Sequence, residues 1–85
     1  MAIELLYFSW VREAIGTGAE TVDPPAGLAR VSDLIDWLAT RSEGHASAFA
    51  DRTRLRAAVD QVFISLDAPL GHAREVAIFP PVTGG

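Results

Sequence analysis

The feature that most constrains the fold is a single amphipathic helix set among strand-like segments. Its apolar residues recur at the spacing of one helix face: Val31, Leu34, Ile35 and Leu38. Ser32 is predicted as the N-cap and Gly44 as the C-terminal stop. In a chain of 85 residues, one such helix has to cover a sheet to bury its apolar face.

Five short segments with strand composition flank this helix, at residues 3–8, 20–22, 55–59, 62–66 and 75–79. Residues 10–15 predict a short helical turn ended by Gly16, and Asp60-Gln61 predicts a tight turn. Residues 45–54 are ambiguous, since His45 to Ala50 could add one more turn anchored by Phe49. The order ββαβββ predicts an α+β domain, a mixed sheet with one main helix packed on one face. It fits the ubiquitin-like β-grasp.

Composition argues against several functional classes. The chain has no cysteine, its net charge is −4, and its seven basic residues, all arginine, are scattered. Thiolate metal sites are therefore excluded and nucleic acid is not an expected partner. No apolar run approaches the roughly 20 residues of a membrane span, and the N-terminus does not read as a signal peptide. We expect a cytoplasmic protein that has no membrane partner.

Catalytic constellations are absent from the pattern. His45 and His72 are far apart in polar stretches, so both are predicted to be solvated surface side chains without a metal or base role. No serine has the context of a nucleophile elbow. The sequence does not predict an enzyme acting alone.

The end of the chain carries the functional signal. We predict a domain over residues 1–79, followed by an extended tail with the sequence Pro80, Pro81, Val82, Thr83, Gly84 and Gly85. The two prolines stiffen the tail and deny it sheet pairing. The terminal glycines let it enter a channel only as wide as a backbone. Such a tail suits delivery of its carboxylate into the active site of another protein.

Strand alternation predicts where a partner would dock. The predicted core consists of Ile3, Leu5, Tyr7, Leu34, Ile35, Leu38, Val59, Val62, Ile64, Val76 and Ile78. The opposite face then carries Leu6, Phe8, Phe63 and Phe79, too much apolar surface for a sheet exposed in a monomer. We expect this face to bind a partner, with Arg12 as a rim contact. Self-association, or residues 45–54 folding over the face, would be the alternative.

Several motifs together resemble the small, sulfur-carrier subunit of molybdopterin synthase (the MoaD family), over essentially the whole chain. They are LLYF at 5–8, VRE at 11–13, Gly16, AAVDQ at 57–61, D-x-PL at 67–70 and EVAIFPPVTGG at 75–85. Members often have Asp-Gly-Asp where this chain has Ala73-Arg74, and Asn where it has Asp60. Neither difference touches the tail.

The resemblance implies a mechanism at Gly85. An ATP-dependent, E1-like enzyme would adenylate the carboxylate, and a persulfide from another protein would convert the acyl-AMP to a thiocarboxylate. The tail, residues 80–85, would then enter a pocket of the large synthase subunit, in a heterotetramer. There the sulfur would pass to cyclic pyranopterin monophosphate in molybdenum cofactor biosynthesis, with catalytic groups on the large subunit. The carrier itself would bind no cofactor and no metal.

Other functions are also consistent with the sequence. Carriers for thiazole synthesis or tRNA thiolation share the fold and the Gly-Gly end. A ubiquitin-like protein modifier would form isopeptide bonds, and an interaction module would have an inert tail. The lack of lysine fits either a compositional bias or a carrier that cannot acylate its own side chains.

Overall fold

A computed structural model describes residues 2–81. Its elements, in chain order, are β1 (Ile3–Tyr7), α1 (Ser9–Ile15), β2 (Ala19–Val22), α2 (Val31–Leu38), α3 (Glu43–Ala48), a 3₁₀ turn (Arg52–Arg54), β3 (Arg56–Val59), β4 (Val62–Ile64) and β5 (Glu75–Phe79). The five strands form one sheet in the order β2-β1-β5-β3-β4. β1 and β5 are parallel, and the other neighbours are antiparallel. The predicted mixed sheet of an α+β domain is confirmed.

Two predicted turns are confirmed by their backbone geometry. Gly16 ends α1 with φ 97°, a left-handed conformation that glycine adopts without steric cost. Asp60 and Gln61 join β3 to β4 with φ of 48° and 71°, as in a type I′ hairpin. The Asp60 Oδ1 also accepts hydrogen bonds from the backbone N–H groups of Arg74 and Glu75, each at 3.0 Å. Asp60 therefore ties the hairpin to the start of β5.

The core lies between the sheet and the helices. The residues buried there include Ile3, Leu5, Tyr7, Val31, Leu34, Ile35, Leu38, Phe49, Leu55, Ala57, Val76 and Ile78. The predicted face of α2 is confirmed, and so are the inward residues of β1 and β5. Phe49 is buried as the predicted anchor of the segment after α2.

Leu38 tests this assignment, because its side chain is fully buried at the end of α2. Leu38→Ala should lower the free energy of unfolding by about 2–5 kcal/mol, through lost apolar burial and the cavity left behind. Urea denaturation followed by circular dichroism measures this. A loss below about 1 kcal/mol would contradict the packing of α2 described here.

The predicted ends of α2 were wrong. The helix begins at Val31 with Arg30 as its N-cap residue, because Asp33 reaches back to accept from the backbone N–H groups of Ala29 and Arg30 at 3.1 and 2.9 Å. The helix ends at Leu38, and Gly44 lies inside α3. A Cβ at Gly44 would overlap the carbonyl oxygen of Ala14, so glycine allows α3 to pack closely on α1.

One predicted core residue was also wrong. Val62 is 64% exposed, whereas its partner Val59 and its neighbour Ile64 are half-buried. Val62 follows the hairpin turn on the edge strand β4, which has a neighbouring strand on one side only. Alternation along a strand gives the side of the sheet to which a side chain points, but it does not show whether another element covers that side chain.

The helices described within residues 2–81 are all too short or too polar to cross a membrane. The cytoplasmic location stays a prediction.

Candidate docking face and tail root

The sheet face turned away from the helices carries an apolar row that crosses four strands. Leu6 of β1 lies beside Ala77 of β5, Ala77 lies opposite Ala58 of β3, and Ala58 lies opposite Phe63 of β4. Residues that are direct neighbours across strands point to the same side of the sheet. The row is therefore continuous from β1 to β4.

Aromatic side chains build up one end of this row. The Phe63 and Phe79 rings are in contact, with centroids 5.7 Å apart and planes tilted by 55°. Phe63 is 81% and Phe8 49% exposed, while Leu6 and Phe79 are half-buried. The structure brings together the four apolar residues that alternation predicts. We call the outward surface formed by Leu6, Phe8, Phe63, Phe79 and the residues between them the docking face.

A groove of about 700 Å³ runs over the docking face and reaches the root of the tail. Its lining includes Leu6, Phe8, Phe63, Phe79, Pro80 and Pro81. β5 ends at Phe79 in the middle of the sheet, so the chain leaves the domain at the edge of this groove. Val82, Thr83, Gly84 and Gly85, which include the predicted sulfur-carrying terminus, lie outside the described residues.

Arg12 lies at the side of the docking face. Its exposed side chain lines a shallow depression with Ser9 and Glu13, and Ser9 also lines the groove. This position suits the predicted rim contact. Residues 45–54, by contrast, do not cover the docking face, because His45 and Phe49 contact Tyr7 on the core side of the sheet.

Sequence reasoning missed a polar network on that core side. His45 is only 7% exposed, and its Nε2 lies 2.6 Å from Glu20 Oε2 while its Nδ1 lies 2.7 Å from Ser42 Oγ. The Tyr7 hydroxyl donates to the same Glu20 oxygen at 2.8 Å. The prediction of His45 as a solvated surface side chain was wrong. His72 is exposed, as predicted.

The network links α3 to β2 and shifts two pKa values. Burial alone would raise the pKa of Glu20, but hydrogen bonds from His45 and Tyr7 and the charges of His45 and Arg41 outweigh it and lower the pKa. Burial, together with the hydrogen bond to Glu20, raises the pKa of Tyr7 far above its ordinary value. Tyr7 thus remains a hydrogen-bond donor. The network holds α3 against β2 on the side of the sheet opposite the docking face.

A prediction on acid stability follows from Glu20. Because the pKa of Glu20 is lower in the folded state than in the unfolded state, the ionised side chain stabilises the fold. This stabilisation is complete above the pKa of the unfolded state, about 4.3, and is lost as the pH falls through the pKa of the folded state. We expect Glu20→Gln to lower the free energy of unfolding by about 1–3 kcal/mol near neutral pH. The difference in unfolding free energy between the variant and wild type should become smaller as the pH falls. Urea denaturation from neutral pH into the acid range measures this difference, and a difference that does not change with pH would contradict the prediction.

Comparison with known proteins decides the family. The model of the ThiS family matches residues 5–85, which include almost all of the sheet and the Gly-Gly end. The chain belongs to the ThiS family. It is similar to proteins named molybdopterin synthase sulfur carrier subunit. It is 45% identical to that of Escherichia coli K12, with 98% of this chain and 99% of the relative covered. It is 33% identical to that of Mycosarcoma maydis, with 99% and 94% covered.

The structural comparison agrees with this membership. The crystal structure of small archaeal modifier protein 1 of Haloferax volcanii superposes with a TM-score of 0.74 at 26% identity, covering 95% of this chain and 98% of that one. The predicted ubiquitin-like β-grasp is confirmed for this member of the ThiS family. Among residues 2–81, no three His, Asp or Glu side chains are grouped so that they could hold a metal ion.

Proposed function

We propose that this chain is the sulfur-carrier subunit of a molybdopterin synthase and that the C-terminal carboxylate of Gly85 carries the sulfur. The observation that carries the proposal is an exposed apolar face at the root of a Gly-Gly tail. The chain that bears this face is 45% identical to a sulfur carrier subunit of that synthase over nearly its full length. A docking surface beside the tail lets a partner bind the domain and receive the terminus together.

The chemistry needs activation first, because a carboxylate resists nucleophiles. A Gly85 oxygen attacks the α-phosphorus of ATP on an E1-like enzyme, and pyrophosphate leaves. The persulfide of a donor protein then displaces AMP, and thiol cleavage of the resulting acyl disulfide leaves a thiocarboxylate. The thiocarboxylate sulfur attacks cyclic pyranopterin monophosphate, and hydrolysis returns the carboxylate. Two loaded copies supply the two sulfurs of one dithiolene.

We place the catalytic groups of the reaction on the large synthase subunit. Within residues 2–81, the network of His45, Glu20 and Tyr7 lies on the core side of the sheet, away from the groove. No general acid or base of this network therefore lines the groove. We propose that two large and two small subunits form the heterotetramer, and that the docking face contacts the large subunit and, in alternation, the activating enzyme.

Intact-mass spectrometry tests the proposal directly. The full chain is incubated with an E1-like enzyme, ATP and a persulfide donor, and its mass is compared with that of a sample lacking ATP. The expected result is the exchange of one oxygen for sulfur at Gly85, located by fragmentation of the C-terminal peptide. An unchanged mass with an activating enzyme that loads another carrier in the same assay would refute the proposal.

A second candidate is a protein modifier, because one similar structure is that of a small archaeal modifier protein. In that case, immunoblots would show conjugates of higher mass that disappear when Gly85 is deleted. A dedicated carrier would give a single band under the same conditions.

A further inference from the structure

The docking face has charged groups at its two ends, and their signs are opposite. Glu4 of β1 lies directly beside Glu75 of β5 in the parallel register. Both residues alternate with buried neighbours, Leu5 and Val76, so both carboxylates belong to the outer side of the sheet. Glu75 also lines the groove. This end of the docking face is therefore acidic.

The pair of glutamates is uncompensated within the domain. Among residues 2–81, neither glutamate has an arginine or histidine nitrogen within ion-pair distance. Arg74 precedes Glu75 in the sequence but forms no ion pair with either glutamate. The nearby Asp60 adds a third carboxylate, which is occupied by the backbone N–H groups of Arg74 and Glu75. Like charges on neighbouring strands destabilise a sheet, so the isolated domain gains nothing from this arrangement.

The other end of the docking face carries an arginine. Arg56 of β3 lies directly opposite Phe79 of β5, so the two side chains share the outer side of the sheet. A small depression is lined by Arg56, Phe63 and Phe79. The Arg56 guanidinium donates to the carbonyls of Leu55 and Thr53 at 2.8 and 3.3 Å, and no described carboxylate pairs with it. Glu75 and Phe79 are four residues apart on β5, so the charged ends are separated by roughly 13 Å.

We propose that this charge pattern fixes the orientation of the partner on the docking face. The occupant is the large synthase subunit, and the inference therefore rests on the proposed function. Its contact surface carries an apolar patch, a lysine or arginine that meets Glu4 and Glu75, and a carboxylate that meets Arg56. Apolar contacts alone are non-directional. Two desolvated carboxylates need a cation, whereas a partner turned by 180° would bring its acidic group against them. The correct orientation aims the tail into the partner's pocket.

Neutralising the acidic pair tests the proposal. Binding of the full chain to the large subunit of the same organism is measured by isothermal titration calorimetry at about 50 mM and about 300 mM NaCl. Glu4→Gln/Glu75→Gln should raise Kd by about tenfold at the lower salt concentration and weaken the dependence of Kd on salt. The thermal midpoint of the free domain should stay equal or rise, because a repulsion is removed. Arg56→Gln should raise Kd by about fivefold.

A matched variant removes the same net charge elsewhere. Glu43→Gln/Asp67→Asn neutralises two exposed carboxylates outside the docking face, and its Kd should remain within about twofold of wild type. The proposal is overturned if the Glu4/Glu75 variant binds like wild type at both salt concentrations, or if the matched variant weakens binding equally. If only the Phe8→Asp/Phe79→Asp variant loses binding, the docking face remains the interface but the proposed role of its charges is rejected. Sulfur loading at Gly85 tests the carrier function independently.

Discussion

Deletion of Gly85 is expected to abolish sulfur transfer while leaving the thermal midpoint of the domain nearly unchanged. The carboxylate of Gly84 would then end one residue short of the position where adenylation and sulfur attack take place. One residue of extended chain is about 3.3 Å, and a displacement of about 1 Å already costs roughly 100-fold in rate. Loss of activity should therefore be complete within the sensitivity of a product assay. The product to be measured is the dithiolene formed from cyclic pyranopterin monophosphate.

Addition of one residue after Gly85 is the complementary variant. It moves the terminal carboxylate outward by the same length and should abolish loading, as detected by intact mass. Both variants should keep wild-type unfolding curves, since the core described above ends with β5 at Phe79. Full activity of the extended chain without proteolytic trimming would contradict a role for the Gly85 carboxylate.

Phe8→Asp combined with Phe79→Asp is expected to abolish binding of the large subunit. Both side chains line the groove beside the root of the tail, and each aspartate would place a charge in a contact that has to lose its water. We expect Kd to rise by at least about 100-fold, or about 3 kcal/mol. Co-purification and calorimetry measure this, and circular dichroism should show a folded domain, because Phe8 is exposed and Phe79 only half-buried.

Val62→Asp is the matched control for that experiment. Val62 is apolar, like the groove residues, and strongly exposed. Alternation along β4 directs its side chain to the other side of the sheet, away from the docking face. Its replacement should leave binding within about twofold of wild type. A heterodimer of unchanged affinity in the double phenylalanine variant would place the interface on another surface.

Local patterns predicted most of the fold. The helical spacing of Leu34, Ile35 and Leu38 and the alternation in β1 and β5 indicated which side chains are buried, because each pattern reports the geometry of its own element. The turn at Asp60 and Gln61 likewise follows from its position between two strand-like segments and from Asp60, a residue type that tolerates positive φ. The docking face could be predicted for the same reason, since it consists of the positions that alternate with the core.

The errors concern residues whose environment depends on distant parts of the chain. His45 is buried because Glu20, which is 25 residues away, supplies a hydrogen-bond partner that no local pattern announces. Gly44 was interpreted as a helix stop, whereas the close approach of Ala14 explains it. The opposed charges of Glu4, Glu75 and Arg56 became visible only when the register aligned three strands.

The position of β5 has a mechanical consequence for a protein whose terminus is handled by other proteins. β5 is hydrogen-bonded to β1 on one side and to β3 on the other, and the chain continues from it into Pro80. A pull that is directed along β5 loads both ladders in shear, so that several hydrogen bonds have to break together. An edge strand pulled in the same direction would be held by one ladder only. Tension applied through the tail is thus borne by a strand that is hydrogen-bonded to a neighbour on each side.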